Sequence, residues 1–252
     1  MNVKQFLEMH LMKFWSLLFL IPFFLYAQEK IEVHYFVPTP PEKPLRFCTA
    51  YAEWLAWAES QPDYTELFPD SLKTFDIRYA TFQNVTGHDL YCGLTRLFLH
   101  KDLAKKLEKA SQILKEKYPG IRFRIFDGAR PLYAQEALRA MVRGTPYVRF
   151  VTSPGTGSVH NFGYAIDLTL EDFSGNMLDM GTDFDSFAPK AGRNGEAKAL
   201  KEGTLTEEQI ANRNLLRSVM KAAGFIELPS EWWHFNGALS RWVRENISKT
   251  PF

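Results

Sequence analysis

Two of the six histidines stand in segments whose neighbours could bind a metal ion and activate water. His160 lies in a glycine-containing loop, and this loop can fold the imidazole back toward Asp167 on the segment that follows. His234 lies far along the chain, at the end of a Glu-Trp-Trp-His segment. A hydrolytic zinc site needs three nitrogen or oxygen ligands from the protein and an open position for water. His160, Asp167 and His234 are therefore candidate ligands of one zinc ion.

The carboxylate needed to take a proton from the water could come from the second segment. Glu231 stands three residues before His234, close enough to act as general base without binding the metal. Glu227 is the alternative base, four residues earlier. Trp232 and Trp233 would shield the site and lower its dielectric constant. Either segment alone is also compatible with chance spacing and with two tryptophans in an ordinary core.

A fixed positive charge follows the predicted strand at 121–127. The run Asp-Gly-Ala-Arg-Pro includes Arg130, and Pro131 fixes the turn so that the arginine is available to point into a cleft. Its guanidinium could stabilise the oxyanion that forms when water attacks a peptide carbonyl. A surface arginine is the alternative interpretation.

Four elements must position these side chains. Leucines at helical spacing predict a helix over residues 101–118, and alternation predicts strands at 121–127 and 164–170, with Asp167 on the second. Thr206 and Gln209 form a capping box for a helix over 206–223. Helices and strands mix without regular βαβ repetition. The expected fold class is α+β, a single compact domain with helices packed on a mixed or antiparallel central sheet.

The beginning of the chain is typical of a secretory signal peptide. Lys4 and Lys13 precede the apolar run 14–26, and Ala27 gives way to polar residues. Residues 1–27 are thus a predicted signal peptide, with an uncleaved membrane anchor as the alternative. Residues 28–70 form a partly Pro-rich extension with a short helix near 48–60, and 71–252 form the catalytic domain. Export would allow a disulfide between Cys48 and Cys92, and two unbonded buried cysteines remain the alternative.

Charge balance restricts the class of partner. The chain carries 30 basic and 29 acidic side chains, with a formal net charge of +1. This balance provides no basic surface for nucleic acid or anionic lipid. We expect a small-molecule partner, no protein partner, and no stable membrane insertion after signal cleavage, so that the protein is exported to the periplasm or secreted.

The motifs together resemble a known family. Ser-x-His-x-x-Gly-x-Ala-x-Asp followed by Glu-x-x-His is similar to the zinc metallopeptidases grouped with lysostaphin, D-Ala-D-Ala carboxypeptidases and the hedgehog domain. Further motifs resemble the VanX-type D-alanyl-D-alanine dipeptidases in particular. In family order, over about residues 72–240, these motifs are Asp76 to Thr81 with Asn84 and Thr86-Gly87, Asp127 to Pro131, Ser158 to Leu170, Met180 to Asp185, Asn212-Arg213 and Glu231 to His234.

The resemblance implies a hedgehog-like peptidase fold and hydrolysis of D-Ala-D-Ala with one zinc ion per chain. It assigns the zinc to His160, Asp167 and His234, the base to Glu231 and transition-state stabilisation to Arg130. Asp185 matches the acid that holds the substrate's ammonium group, and Ser158 and Tyr79 match residues that line the substrate pocket. Tyr91 is a weaker candidate for that pocket.

Two other functions belong to the same superfamily. A D,D-carboxypeptidase or peptidoglycan endopeptidase would use the same zinc ligands on a longer stem peptide. A non-catalytic zinc-containing binding domain would be expected to lack the base.

Overall fold

The computed structural model describes residues 44–251, with side chains from residue 47 onward. The predicted signal peptide at 1–27 and most of the Pro-rich segment lie outside the described residues. The helices are α1 (Pro44–Ser60), α2 (Lys101–Lys117), α3 (Leu132–Met141), α4 (Arg193–Lys201), α5 (Glu207–Ala222) and α6 (Ser240–Asn246). The strands are β1 (Tyr64–Leu67), β2 (Lys73–Phe75), β3 (Leu97–His100), β4 (Ile121–Asp127), β5 (Ala165–Asp172), β6 (Ile226–Glu227) and β7 (His234–Asn236). Short 3₁₀ helices span Arg78–Ala80, Pro146–Phe150, Val159–Phe162 and Pro189–Ala191.

The strands form two sheets. The larger has five strands in the order β2-β4-β5-β7-β6, and β1 pairs with β3 in a separate two-stranded sheet. In the larger sheet β2 runs parallel to β4, and the other neighbours are antiparallel. Helices and a mixed sheet in one compact body confirm the predicted α+β class. Within residues 44–251 no helix is both long and apolar enough to cross a membrane.

The predicted local elements form close to their expected positions. The apolar side chains of α2 are buried, and the imidazole of His100 accepts a hydrogen bond from the amide of Asp102 at its start. In the capping box of α5, the hydroxyl of Thr206 accepts from the amide of Gln209, and the Gln209 side chain accepts from the amide of Thr206. The first helix begins at Pro44, four residues before the predicted position.

Strand β5, predicted from its alternating pattern, is buried on both faces. It is the central strand of the larger sheet, so nearly all its side chains are buried, including Thr169 and Glu171. The carboxylate of Glu171 accepts hydrogen bonds from Arg122 and Arg124 on β4 and from the hydroxyl of Thr74 on β2. These partners compensate the cost of burying its charge.

The helix α1 belongs to the same core as the sheet. A disulfide joins Cys48 on α1 to Cys92 in the segment before β3. Tyr51 stacks on Tyr91 with ring centroids 4.8 Å apart, and Trp54 is almost fully buried. Residues on both sides of the expected boundary between 70 and 71 therefore share one buried core.

Candidate active site

The ends of three adjacent strands place acids and a histidine side by side. Asp167 on β5 lies opposite His234 on β7, and on its other side it lies opposite Asp127 on β4. The register of β4 and β5 shifts between Ile125 and Asp127, which brings the two aspartates opposite one another. The pairing of the strands thus assembles residues that are far apart in sequence.

The other histidine reaches this point from a 3₁₀ helix. His160 lies in the turn Val159–Phe162, which ends at Gly163 with a φ of +64°. The carbonyl of His160 accepts from the amide of Arg130, and the Asn161 side chain donates to the carbonyl of Arg130 at 2.9 Å. The turn that carries Arg130 and the turn that carries His160 therefore hold each other in place.

The three predicted metal ligands meet at one point. The His160 Nε2 atom lies 3.2 Å from Asp167 Oδ2 and 3.0 Å from His234 Nδ1. The His234 Nδ1 atom lies 3.0 Å from Asp167 Oδ1, and the ligand atoms of all three fall within 4.8 Å of one another. All three side chains are buried. We call this group the ligand triad.

The outer partners of the two imidazoles determine which nitrogens face inward. The Nδ1 atom of His160 is 2.7 Å from the carbonyl of Gly128, and the Nε2 atom of His234 is 2.8 Å from the Asn236 side-chain oxygen. The carbonyl of Gly128 and the side-chain oxygen of Asn236 are acceptors, so in the neutral rings these nitrogens carry the protons and the other nitrogen of each ring turns a lone pair toward Asp167. Two lone pairs and a carboxylate that face one another suit a cation, and the triad fits a metal ion.

The position of Gly128 depends on the absence of a side chain. A Cβ atom there would lie 2.5 Å from the Leu97 side chain and 3.0 Å from the carbonyl of Phe98. A larger residue would move the carbonyl that orients His160.

Glu231 lies beside the triad, whereas Glu227 does not. The Glu231 Oε2 atom is 3.9 Å from His234 Nδ1, and burial raises the pKa of this carboxyl to about 7 against the charges of His234 and Arg130. Glu227 pairs instead with Arg193 at 2.6 Å and with Arg217 at 3.5 Å. Of the two candidate bases, only Glu231 lies next to the triad.

Arg130 is buried and oriented by three side chains. Its Nε donates to Asp127 Oδ2 at 2.8 Å, its Nη1 donates to Gln135 at 3.0 Å, and its Nη2 lies 3.5 Å from Asp167 Oδ2. The guanidinium also lies over the ring of Tyr79, 4.8 Å from the centroid. The arginine therefore points into the site, and the surface alternative is wrong.

Asp185 and Tyr79 form a second polar pair in the same site. The Tyr79 hydroxyl donates to Asp185 Oδ2 at 2.9 Å. Asp185 has a φ of +61°, a conformation that non-glycine residues adopt rarely. Burial raises the pKa of its carboxyl to about 8 against the opposing charge of Arg130. Asp185 is partly exposed at the cavity wall, so a cationic ligand that enters the cavity can stabilise its ionised form.

A small cavity of about 120 Å³ joins these groups. Ser158, Trp233, Tyr79, Asp185, Glu231 and the ligand triad all line it. Trp232 does not line it: its Nε1 donates to Thr182 at 2.8 Å on a separate cleft, and the two indole rings are perpendicular. The expectation that both tryptophans shield the site is therefore wrong for Trp232. The volume lies below the range of drug-sized pockets, which begins at about 300 Å³.

Some residues of the site were missing from the sequence prediction. Asn236 could have been found, because it follows His234 by two positions on a strand and so shares its face. Gln135 and Arg244 carry no such signal, since they come from α3 and α6. Tyr91 is near the site but outside the cavity lining, and its hydroxyl donates to Asp127 Oδ1 at 3.0 Å.

Comparisons with known proteins agree with this geometry. A family model described as D-Ala-D-Ala dipeptidase, of the M15 peptidases, matches residues 58–250. A D-alanyl-D-alanine dipeptidase of Escherichia coli (strain K12) is 35% identical over 173 residues, which cover 69% of this chain and 82% of the relative. A D-alanyl-D-alanine dipeptidase of Synechocystis sp. is 26% identical over 191 residues, covering 64% of this chain and 77% of the relative. One of Enterococcus faecium is 28% identical over 179 residues, covering 64% and 84%.

The matched span contains all the strands of the larger sheet, the ligand triad and Glu231. The relatives are matched over most of their own length, so the similarity extends beyond a single motif. The chain therefore belongs to the D-Ala-D-Ala dipeptidase family of M15 metallopeptidases.

Proposed function

We propose that the protein is a zinc dipeptidase that hydrolyses D-Ala-D-Ala to two molecules of D-alanine. The observation that carries the proposal is the presence of an acid, Asp185, in the wall of the same small cavity as the ligand triad. A free dipeptide has an ammonium group next to the bond that is cut. The cavity offers that group a carboxylate at one wall and offers the scissile bond a metal site.

Each side chain has a role in this reaction. Zinc held by His160, Asp167 and His234 would supply Lewis-acid chemistry at the scissile carbonyl and lower the pKa of bound water. Glu231 would take a proton from the attacking water and deliver it to the nitrogen of the leaving D-alanine. Arg130 would stabilise the negative charge that develops on the carbonyl oxygen.

Binding and orientation of the substrate would fall to the other cavity residues. Asp185, held by the Tyr79 hydroxyl, would pair with the ammonium group of the substrate. Ser158 lines the cavity with Tyr79 and would contact the bound dipeptide. The protein itself would thus contribute orientation, charge pairing and proton transfer.

The two alternatives from the superfamily fit these side chains less well. A carboxypeptidase that acts on a stem peptide must leave the amino side of the scissile bond open, whereas in our proposal Asp185, a partly exposed acid in the cavity wall, occupies that side. A binding domain without catalysis has no use for an acid beside the triad, whereas Glu231 lies 3.9 Å from His234. Dipeptide hydrolysis uses both acids.

The test compares three substrates. The zinc-loaded protein without its signal peptide is incubated with D-Ala-D-Ala, L-Ala-L-Ala and N-acetyl-D-Ala-D-Ala, and release of free alanine is followed. We expect rapid turnover of D-Ala-D-Ala alone. Equal turnover of the free and acetylated D-dipeptides would reject dipeptidase specificity in favour of the carboxypeptidase function.

The metal assignment has its own measurement. A His160→Ala variant should lose stoichiometric zinc in elemental analysis and lose activity, because two ligands seldom retain zinc. Full activity of this variant would contradict the assignment of the triad.

We further propose that the enzyme acts outside the cytosol. The support is the predicted signal peptide at residues 1–27 and the Cys48–Cys92 disulfide, which persists in oxidising compartments. An exported enzyme would meet dipeptides released by turnover of the cell wall or taken from the surroundings, and would have no access to the cytosolic precursor pool. Cell fractionation with an antibody against the protein tests this placement.

A further inference from the structure

The active-site cavity is lined by a positively charged side chain that has no role in the proposed reaction. Two of the described side chains that line the cavity have a fixed positive charge, Arg130 and Arg244. The guanidinium of Arg130 is already bound to Asp127 and Gln135 and approaches Asp167. Its charge is therefore balanced by protein carboxylates before any substrate arrives.

The charge of Arg244 is not balanced in this way. It lies on α6, and its Nε and Nη2 atoms donate to one acceptor, the carbonyl of Gly157, at 3.4 and 3.3 Å. No carboxylate of the described chain forms an ion pair with it. Gly157 immediately precedes Ser158, which also lines the cavity. These two long bonds place the guanidinium beside the cavity, where the side chain is exposed, and its Nη1 has no acceptor among the described residues.

The second end of a free dipeptide matches this side chain. The ammonium group has a partner in Asp185, but the carboxylate of the leaving D-alanine needs a cation or several hydrogen-bond donors. A guanidinium is the side chain best suited to a carboxylate, because it offers parallel N–H donors in one plane. Ser158 and Ser240, which line the cavity with Arg244, add two hydroxyl donors.

We propose that Arg244 binds the C-terminal carboxylate of the substrate. This inference rests on the proposed dipeptidase function and deepens it. Asp185 and Arg244 would then recognise opposite charges on the two ends of the substrate. Recognition of both ends restricts hydrolysis to dipeptides, because a longer peptide lacks one of the two charges next to the scissile bond.

The experiment removes the charge of Arg244 and measures which substrates are then hydrolysed less efficiently. The steady-state constants of the zinc-loaded enzyme and of Arg244→Gln are measured on D-Ala-D-Ala and on its C-terminal amide. We expect KM for the free acid to rise about tenfold to a hundredfold in the variant, which corresponds to one lost hydrogen-bonded charge contact. The kcat should change less, since the carboxylate is bound in the ground state and the transition state alike.

The preference for the acid over the amide separates recognition from folding. The unaltered enzyme should prefer the acid, Arg244→Gln should lose most of that preference, and Arg244→Lys should retain part of it. The matched control is Arg241→Gln on the same helix, where the arginine is almost fully exposed and pairs with Glu245. This control should behave as the unaltered enzyme does.

Three results would have distinct meanings. An unchanged KM and an unchanged acid preference in Arg244→Gln would overturn the inference while the dipeptidase function stands. An equal loss of kcat/KM on acid and amide would also overturn it, because Arg244 would then act only through the Gly157 loop. An unaltered enzyme that fails to hydrolyse D-Ala-D-Ala would reject the proposed function itself.

Discussion

Tyr91 lies behind the cavity and supports Arg130, the arginine that we propose stabilises the transition state. Its hydroxyl donates to Asp127 Oδ1 at 3.0 Å, and Asp127 Oδ2 accepts from the Nε of Arg130 at 2.8 Å and lies 2.8 Å from its Nη2. The ring of Tyr91 stacks on Tyr51, and the next residue is bonded to α1 through the Cys48–Cys92 disulfide. Tyr91 is thus a positioning residue, and we expect Tyr91→Phe to disturb Arg130 without touching the substrate.

The magnitude follows from the burial of this chain of bonds. Tyr91→Phe keeps the stacked ring and removes one hydroxyl, which leaves a buried carboxylate oxygen of Asp127 without that donor. A hydrogen bond to a charged group contributes roughly 1.5–3 kcal/mol. We expect the free energy of unfolding to fall by about 2 kcal/mol. The kcat should fall by about tenfold, which corresponds to about 1.4 kcal/mol of lost transition-state stabilisation.

The assay combines urea unfolding with the kinetics of D-alanine release. KM should change little, because the substrate-binding side chains keep their positions. The matched control is Tyr133→Phe, which removes a hydroxyl that donates to the neutral carbonyl of Leu90 at 2.7 Å. The control should lose about 1 kcal/mol of stability and keep its kcat. An unchanged kcat in Tyr91→Phe, or an equal loss of kcat in Tyr133→Phe, would refute the positioning role.

Three further predictions concern acids. Asp185→Asn should lower kcat/KM on D-Ala-D-Ala by about one to four powers of ten, the range for a lost charge pair of roughly 2–5 kcal/mol. Its kcat/KM on N-acetyl-D-Ala-D-Ala should change little. An equal loss on both substrates would contradict pairing with the ammonium group. Glu231→Ala should keep zinc and lose about two to four orders of magnitude in kcat, whereas Glu227→Ala should stay active; the opposite pattern would transfer the role of base. Burial alone would raise the pKa of Glu196, but its hydrogen bonds to two arginines, Arg217 among them, hold it below the ordinary 4.5. Because the pKa of Glu196 is depressed in the folded protein, the ionised carboxylate stabilises the fold above about pH 4.5, and this stabilisation is lost as the pH falls. The difference in urea midpoint between the unaltered enzyme and Glu196→Gln should therefore shrink from pH 7 to pH 3. A constant difference would exclude this linkage.

The sequence by itself determined the features that depend on near neighbours along the chain. The helix at 101–118 and the strand at 121–127 follow from the spacing of apolar residues, and the structure confirms both. The residue types of the ligand triad and of Glu231 follow from the chemistry of a zinc hydrolase and from the order of the family's motifs. Periodicity and motif order are local properties, so no tertiary information was needed for them.

The tertiary structure decided which of these residues meet. His234 and Asp167 are 67 positions apart, and only the pairing of β5 with β7 places their ligand atoms 3.0 Å apart. The same long-range packing turns Glu231 toward the triad while Glu227 pairs with Arg193. Side-chain direction at the end of a strand depends on partners that the local sequence does not contain.

The structure also supplied the residues that have no local signal. Arg244 belongs to none of the sequence motifs, and its relevance comes from the contact of α6 with the carbonyl of Gly157. Tyr91 becomes a support for Arg130 only because α1 and the Cys48–Cys92 disulfide bring it behind Asp127. Such contacts arise from packing between distant segments, and for this reason the sequence alone could not determine them.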